Sequence, residues 1–159
     1  MQIRKMTKSN RMIGDRKRIP WVAHGNKKKE MVEWATYNQV TLFRHELFAT
    51  GTKGILLKDA WDMPVKKLLS GQLSGDQQIG SMIAEGKIDM MFFFWDPMEA
   101  QPHNTDTKAL PRLEVTWNIP FACGRASAEF ILLSLHLQDE YEIRLPDCSG
   151  YLKRLTHPG

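Results

Sequence analysis

An α/β fold, with a single open, mostly parallel five-stranded sheet and helices on both faces, is predicted by three features of the sequence. Short apolar runs alternate with segments of helical periodicity at the pace of βαβ units. The run Met90-Met91-Phe92-Phe93-Phe94-Trp95 is apolar without alternation, as in a strand covered on both sides. The residues that follow the apolar runs are hydroxyls, glycines, carboxylates and imidazoles, and ligands of such sheets bind outside the carboxyl ends of the strands.

In chain order, Ile19-Pro20-Trp21-Val22-Ala23 reads as the first strand, with Pro20 near its start, where a missing donor is tolerated. Lys27 to Tyr37 reads as a helix whose apolar side is Met31, Val32, Trp34 and Ala35. Glu46 to Ala49 is the second strand, Gly51-Thr52-Lys53-Gly54 a tight loop and Ile55 to Trp61 a short helix. Val65 to Leu69 is the third strand. Asp76 to Glu85 is a helix with Ile79, Met82 and Ile83 at core spacing, ended by Gly86. Asp89 to Phe94 is the central strand, and a polar loop from Asp96 to Thr105 follows it. A helix from Asp106 to Trp117, a strand at Pro120 to Ala122, a helix from Ser127 to Leu135 and a strand at Tyr141 to Leu145 complete the series.

A chain of 159 residues, 42% hydrophobic, fits one domain with a substantial core. Its longest apolar run falls far short of the roughly 20 residues that span a bilayer. Cys123 and Cys148 have no partners at ligand spacing, so they read as reduced thiols in a reducing, cytoplasmic compartment. No apolar stretch follows the N-terminal basic residues, which excludes a secretory signal. The formal net charge of +4 is unevenly spread. Arg4, Lys5, Lys8, Arg11, Arg16, Lys17 and Arg18 face one acid, Asp15, in residues 1–18. That segment reads as a basic, flexible arm ahead of a domain at residues 19–159. It lacks aromatic residues for base stacking, so a solvated tail is favoured over a nucleic-acid contact.

Thr50-Gly51-Thr52 and Ser70-Gly71 each pair a hydroxyl donor with a glycine that lets backbone amides approach an anion, and helices begin just after both. They are not a Walker loop, and on pattern alone they also read as ordinary turns. Asp76, His103 and Asp106 lie at predicted helix starts and are candidates for proton transfer, or for helix capping. His103 and Asp106 alone do not make a metal site, and no G-x-S-x-G nucleophile motif is present.

Taken in series, Val22-Ala23-His24, Ala49-Thr50-Gly51-Thr52, Ser70-Gly71…Gly75-Asp76-Gln77-Gln78 and Asp96-Pro97…Pro102-His103-x-x-Asp106 closely resemble methylglyoxal synthase. The resemblance covers residues 19–135, and the stretch from Gly75 to Asp106 carries most of its specificity. It implies an enzyme that converts dihydroxyacetone phosphate to methylglyoxal and inorganic phosphate through an enediolate, without metal or organic cofactor. By the same resemblance Asp76 is the catalytic base, His103 the donor at the carbonyl end and Asp106 a second acid. His24 and Asp96 match further active-site groups. Lys28, Thr50, Thr52, Ser70, Gly71 and Arg154 match the phosphate cradle. The resemblance also implies a homohexamer inhibited by phosphate.

The chain departs from the family pattern in several places. Gly25 stands where the family carries an aspartate after the VAH histidine, and Lys53 where it carries a threonine. Gln72 and Ser74 stand in place of a proline and a glycine of the usual SGPxGGD pattern, and Gly124 replaces an asparagine. Arg154 is one residue out of step relative to Tyr151. Pro111 replaces a leucine inside a helix, where it is expected to cause a kink. These departures predict a working synthase of reduced rate. The competing expectation is a non-catalytic module of the same fold that senses a phosphorylated ligand, which needs the cradle but not the base.

Overall fold

The computed structural model describes residues 10–51, 59, 65–69, 75–99, 104–147 and 149–156, and only the backbone of 104–107, 151–152 and 155–156. The strands are β1 (Asn10–Ile13), β2 (Arg18–Ala23), β3 (Glu46–Thr50), β4 (Val65–Leu68), β5 (Met91–Phe94), β6 (Phe121–Ala122) and β7 (Tyr141–Arg144). The helices are α1 (Lys28–Tyr37), α2 (Gln39–Leu42), α3 (Gly75–Ala84), α4 (Asn104–Thr116), α5 (Arg125–Leu132) and α6 (Ser149–Thr156), and a 3-10 turn at Gly25–Lys27 leads into α1. Five strands form one sheet in the order β4-β3-β2-β5-β6, and every pairing in it is parallel. Of the helix expected at Ile55 to Trp61 only Asp59 is among the described residues, and it is helical.

The two faces of this sheet carry two separate cores, which fixes helices on both sides. Ile19, Trp21, Phe92 and Phe94 pack with Met31 and Trp34 of α1 and Ala128 and Leu132 of α5. Val22, Met91 and Phe93 pack with Ile79 and Ile83 of α3 and Leu110 of α4. Alternate residues of β2 and β5 thus point to opposite layers, and all four residues of β5 are buried. The Trp34 ring meets Trp21, Phe92 and Phe94 with centroids 5.5, 5.1 and 5.6 Å away. Such aromatic contacts add about 0.5–1.5 kcal/mol each beyond the area they bury. Pro20 sits in the central strand, one residue ahead of the first β5 pair, Trp21 with Phe92.

Residues 10–18, expected in the flexible arm, belong to the fold. β1 pairs antiparallel with β7 in a two-stranded ribbon of its own, so Tyr141–Arg144 does not join the main sheet. Arg11 and Arg18 both reach the buried carboxylate of Asp89 at 2.9 Å, and both also donate to the Gly86 carbonyl. Lys17 is buried, its ammonium held by the carbonyls of Gly14 and Asp139 at 2.5 Å. The charges that read as a solvated arm are therefore spent partly on internal contacts, because Asp89 and free carbonyls at the amino edge of the sheet need donors.

α2 and α6 have no counterpart among the sequence-based expectations. α4 runs as one helix through Pro111, which removes a single internal donor at that point.

Candidate active site

The strand order places a switch point between β2 and β5. The chain leaves β2 toward β3 and β4, then returns to β5 on the other side. The carboxyl ends of the strands at such a switch point are the general ligand position of open α/β sheets. His24 follows β2 and Asp96 follows β5 by two residues. The His24 N–H donates to the Phe94 carbonyl at 3.0 Å, continuing the ladder by one step.

The Asp96 N–H donates to Nδ1 of His24 at 3.1 Å. The Asp96 carbonyl lies at the same distance from Nδ1, but the backbone N–H can only donate, so Nδ1 is the acceptor. The ring proton is thereby assigned to Nε2. Nε2 is buried and has no hydrogen-bond partner. The ring is held edge-on to Phe93, with centroids 5.4 Å apart. The result is an oriented N–H donor with no acceptor among the described residues.

The Asp96 carboxylate is nearly buried and accepts from the Asn26 side chain and, at 2.9 Å, from the Met98 N–H. Those bonds, Asn26 first, hold its carboxyl below the usual carboxylate range. Asp96 thus stays an anion while it ties the loop after β5 to the turn after β2.

Thr50 ends β3 and is buried; Gly51 follows with φ of 58°, a left-handed conformation suited to glycine, and its N–H donates to the Leu68 carbonyl. Asp76 is buried in the first turn of α3, where the helix dipole favours a carboxylate. The Gln78 side chain accepts from the Leu69 N–H at 3.1 Å, which ties the start of α3 to the end of β4. Asp76 also lines a crevice of about 340 Å³ between α3 and α4, with Gly80, Leu110 and Leu113. Lys28 begins α1 and is half-buried.

Of the residues singled out by sequence, the fold brings His24 and Asp96 into contact and sets Thr50 at the carboxyl end of β3 and Asp76 after β4. Arg154 is exposed on α6. Thr52, Ser70, Gly71 and His103 lie outside the described residues, as does the side chain of Asp106. Among the described residues no group of three His, Cys, Asp or Glu side chains is arranged to hold a metal ion. Nor is any described helix long and apolar enough to cross a membrane.

Sequence reasoning missed Asn26, Glu99 and Glu114. Asn26 follows the His24-Gly25 pair, so its nearness to the Val22-Ala23-His24 motif was the available signal. Glu114 is buried without partners for either oxygen, and burial pushes its carboxyl up to about 8. The Cys123 thiol is raised to about 11 by burial and then by the Glu114 charge, leaving it an inert thiol at neutral pH.

Residues 30–123 match the family model described as the MGS-like domain. The chain is 45% identical over 151 residues to a methylglyoxal synthase of Vibrio cholerae, covering 95% of this chain and 100% of that one. It is 47% identical over 148 residues to a methylglyoxal synthase of Proteus mirabilis, covering 93% and 97%. The crystal structure of methylglyoxal synthase from Elizabethkingia anophelis NUHP1 superposes with a TM-score of 0.87 at 51% identity, covering 92% of this chain and 97% of that one.

Proposed function

Because the chain belongs to the methylglyoxal synthase family, we propose that it converts dihydroxyacetone phosphate to methylglyoxal and inorganic phosphate. The observation that carries this reading is the extent of the match, 95% of this chain and 100% of the Vibrio relative. An enzyme of this family is a carbon–oxygen lyase, and relatives at this identity make the non-catalytic sensor the less favoured reading.

In the proposed mechanism Asp76 takes a proton from the hydroxymethyl carbon, and the electron pair moves onto the ketone oxygen to give an enediolate. Donors at that oxygen lower the barrier as charge develops there. The Nε2–H of His24 is one such donor in this reading, and His103 the other. The enediolate then collapses. The hydroxyl proton leaves, the new C=O forms, and the C–O bond to phosphate breaks. The enol of methylglyoxal that remains takes a proton on its terminal carbon and becomes the ketoaldehyde. Asp106 and Asp96 flank these transfers, and Lys28, Thr50, Thr52, Ser70, Gly71 and Arg154 form the phosphate cradle. A fixed phosphate keeps the breaking bond aligned, so that elimination outruns isomerisation.

The same reading includes inhibition by phosphate, a cytoplasmic setting and a homohexamer. The last has support in Phe130, Leu133 and Leu135, large apolar side chains more than three-quarters exposed on and after α5. Incubation of the purified protein with dihydroxyacetone phosphate tests the function. Methylglyoxal and phosphate released in equal amounts support it. Bound ligand without product would return the sensor reading.

A further inference from the structure

Asp96 begins a turn in which the Glu99 N–H donates back to the Asp96 carbonyl at 3.3 Å. That turn carries Glu99 across to the residue after His24. A Cβ placed on Gly25 would meet Oε1 of Glu99 at 3.7 Å, so the carboxylate rests against the bare Cα of the glycine. The other oxygen, Oε2, is buried and has no hydrogen-bond partner among the described residues. A buried carboxylate oxygen left unpaired is costly, and a ligand donor at that point removes the cost. The neighbouring His24 presents the opposite deficiency, a buried Nε2–H with no acceptor. One acceptor and one donor, both unsatisfied, thus flank Gly25 at the switch point.

We propose that Glu99 is a specificity-determining residue of this site, its Oε2 accepting a hydrogen bond from the hydroxyl of a phosphorylated hydroxyketone. This rests on the functional reading above. A hydroxyketone has the matching pair of groups on adjacent carbons: a ketone oxygen that accepts from His24 and a hydroxyl that donates to Glu99. The hydroxyl is also the group whose proton must leave when phosphate is expelled, so an anionic acceptor there favours the productive orientation.

The test uses three probes: dihydroxyacetone phosphate, acetol phosphate (the same molecule without the hydroxyl) and inorganic phosphate. Glu99→Ala is expected to raise the KM for dihydroxyacetone phosphate about tenfold, the loss of one charge-assisted hydrogen bond. The inhibition constants of acetol phosphate and phosphate are expected to stay within about twofold of wild type, since neither ligand has a hydroxyl to present. Glu99→Gln, which keeps an acceptor, falls between. A parallel weakening of all three ligands would overturn the proposal in favour of a structural role, and so would no change in any of them. Absence of methylglyoxal from the wild type would overturn the functional reading separately. Calorimetric affinities for dihydroxyacetone phosphate and acetol phosphate, in wild type and Glu99→Ala, would then still decide the role of Glu99.

Discussion

The backbone N–H of Asp96 donates to Nδ1 of His24 at 3.1 Å, across the point where β2 and β5 part. A main-chain donor sets the tautomer of the imidazole, so Nε2 carries the proton. His24→Asn keeps an acceptor near the Nδ1 position and removes the Nε2–H. The expected outcome is a kcat lower by about 10²-fold, typical of one lost donor at a developing oxyanion. Thermal melting should stay near that of wild type. Steady-state kinetics and a melting curve on the same preparation check both.

Asn26 is the first cause of the depressed Asp96 carboxyl. Asn26→Ala removes that bond and lets the carboxyl rise toward its ordinary range. Asp96 is then protonated at a higher pH than in wild type, so the acid limb of the pH profile of kcat/KM moves up. The Met98 N–H still supports the anion, so the shift is partial. An unmoved acid limb would separate Asp96 from the rate-governing ionisations.

Much of this molecule is legible in its sequence because β5 and the helical stripes declare themselves. The unbroken apolar run of Met91 to Phe94 needs two covered faces, and the structure supplies a core on each. The charges of residues 10–18 were misread because Asp89, which binds Arg11 and Arg18, is more than seventy positions away along the chain. The approach of Glu99 to Gly25 escaped the sequence for a similar reason. Only the turn at Asp96 brings Glu99 against it, and spacing along the chain does not reveal that approach. Asp76 was legible as a helix start, which the first turn of α3 bears out, but the tie from Gln78 to Leu69 appears only once β4 and α3 are folded together.

Glu114 makes stability depend on pH. Its ordinary pKa of 4.5 rises to about 8 in the fold. Between those values the unfolded chain has released a proton that the folded chain keeps, so stability falls as pH rises through this window. His45 acts in the opposite sense: burial, and then the charges of Lys17, Arg44 and Arg16, lower it from 6.5 to about 4, and stability falls as pH drops through that range. From pH 6.5 to 8 Glu114 acts without this opposition. Its contribution across the full window is on the order of 4 kcal/mol. Glu114→Leu is therefore expected to raise Tm by about 10 °C at pH 8 and by much less at pH 5. Melting curves across that range check the difference, and an equal gain at both pH values would contradict it.

The central claim is that a carboxylate at the start of α3 begins the elimination. Wild type and Asp76→Asn should be incubated with dihydroxyacetone phosphate while methylglyoxal and phosphate are followed together. The account predicts equal release of both products by the wild type. It predicts a rate lower by about 10²–10⁴ in the variant, with inorganic phosphate still bound at near wild-type affinity. Undiminished turnover in Asp76→Asn would contradict it.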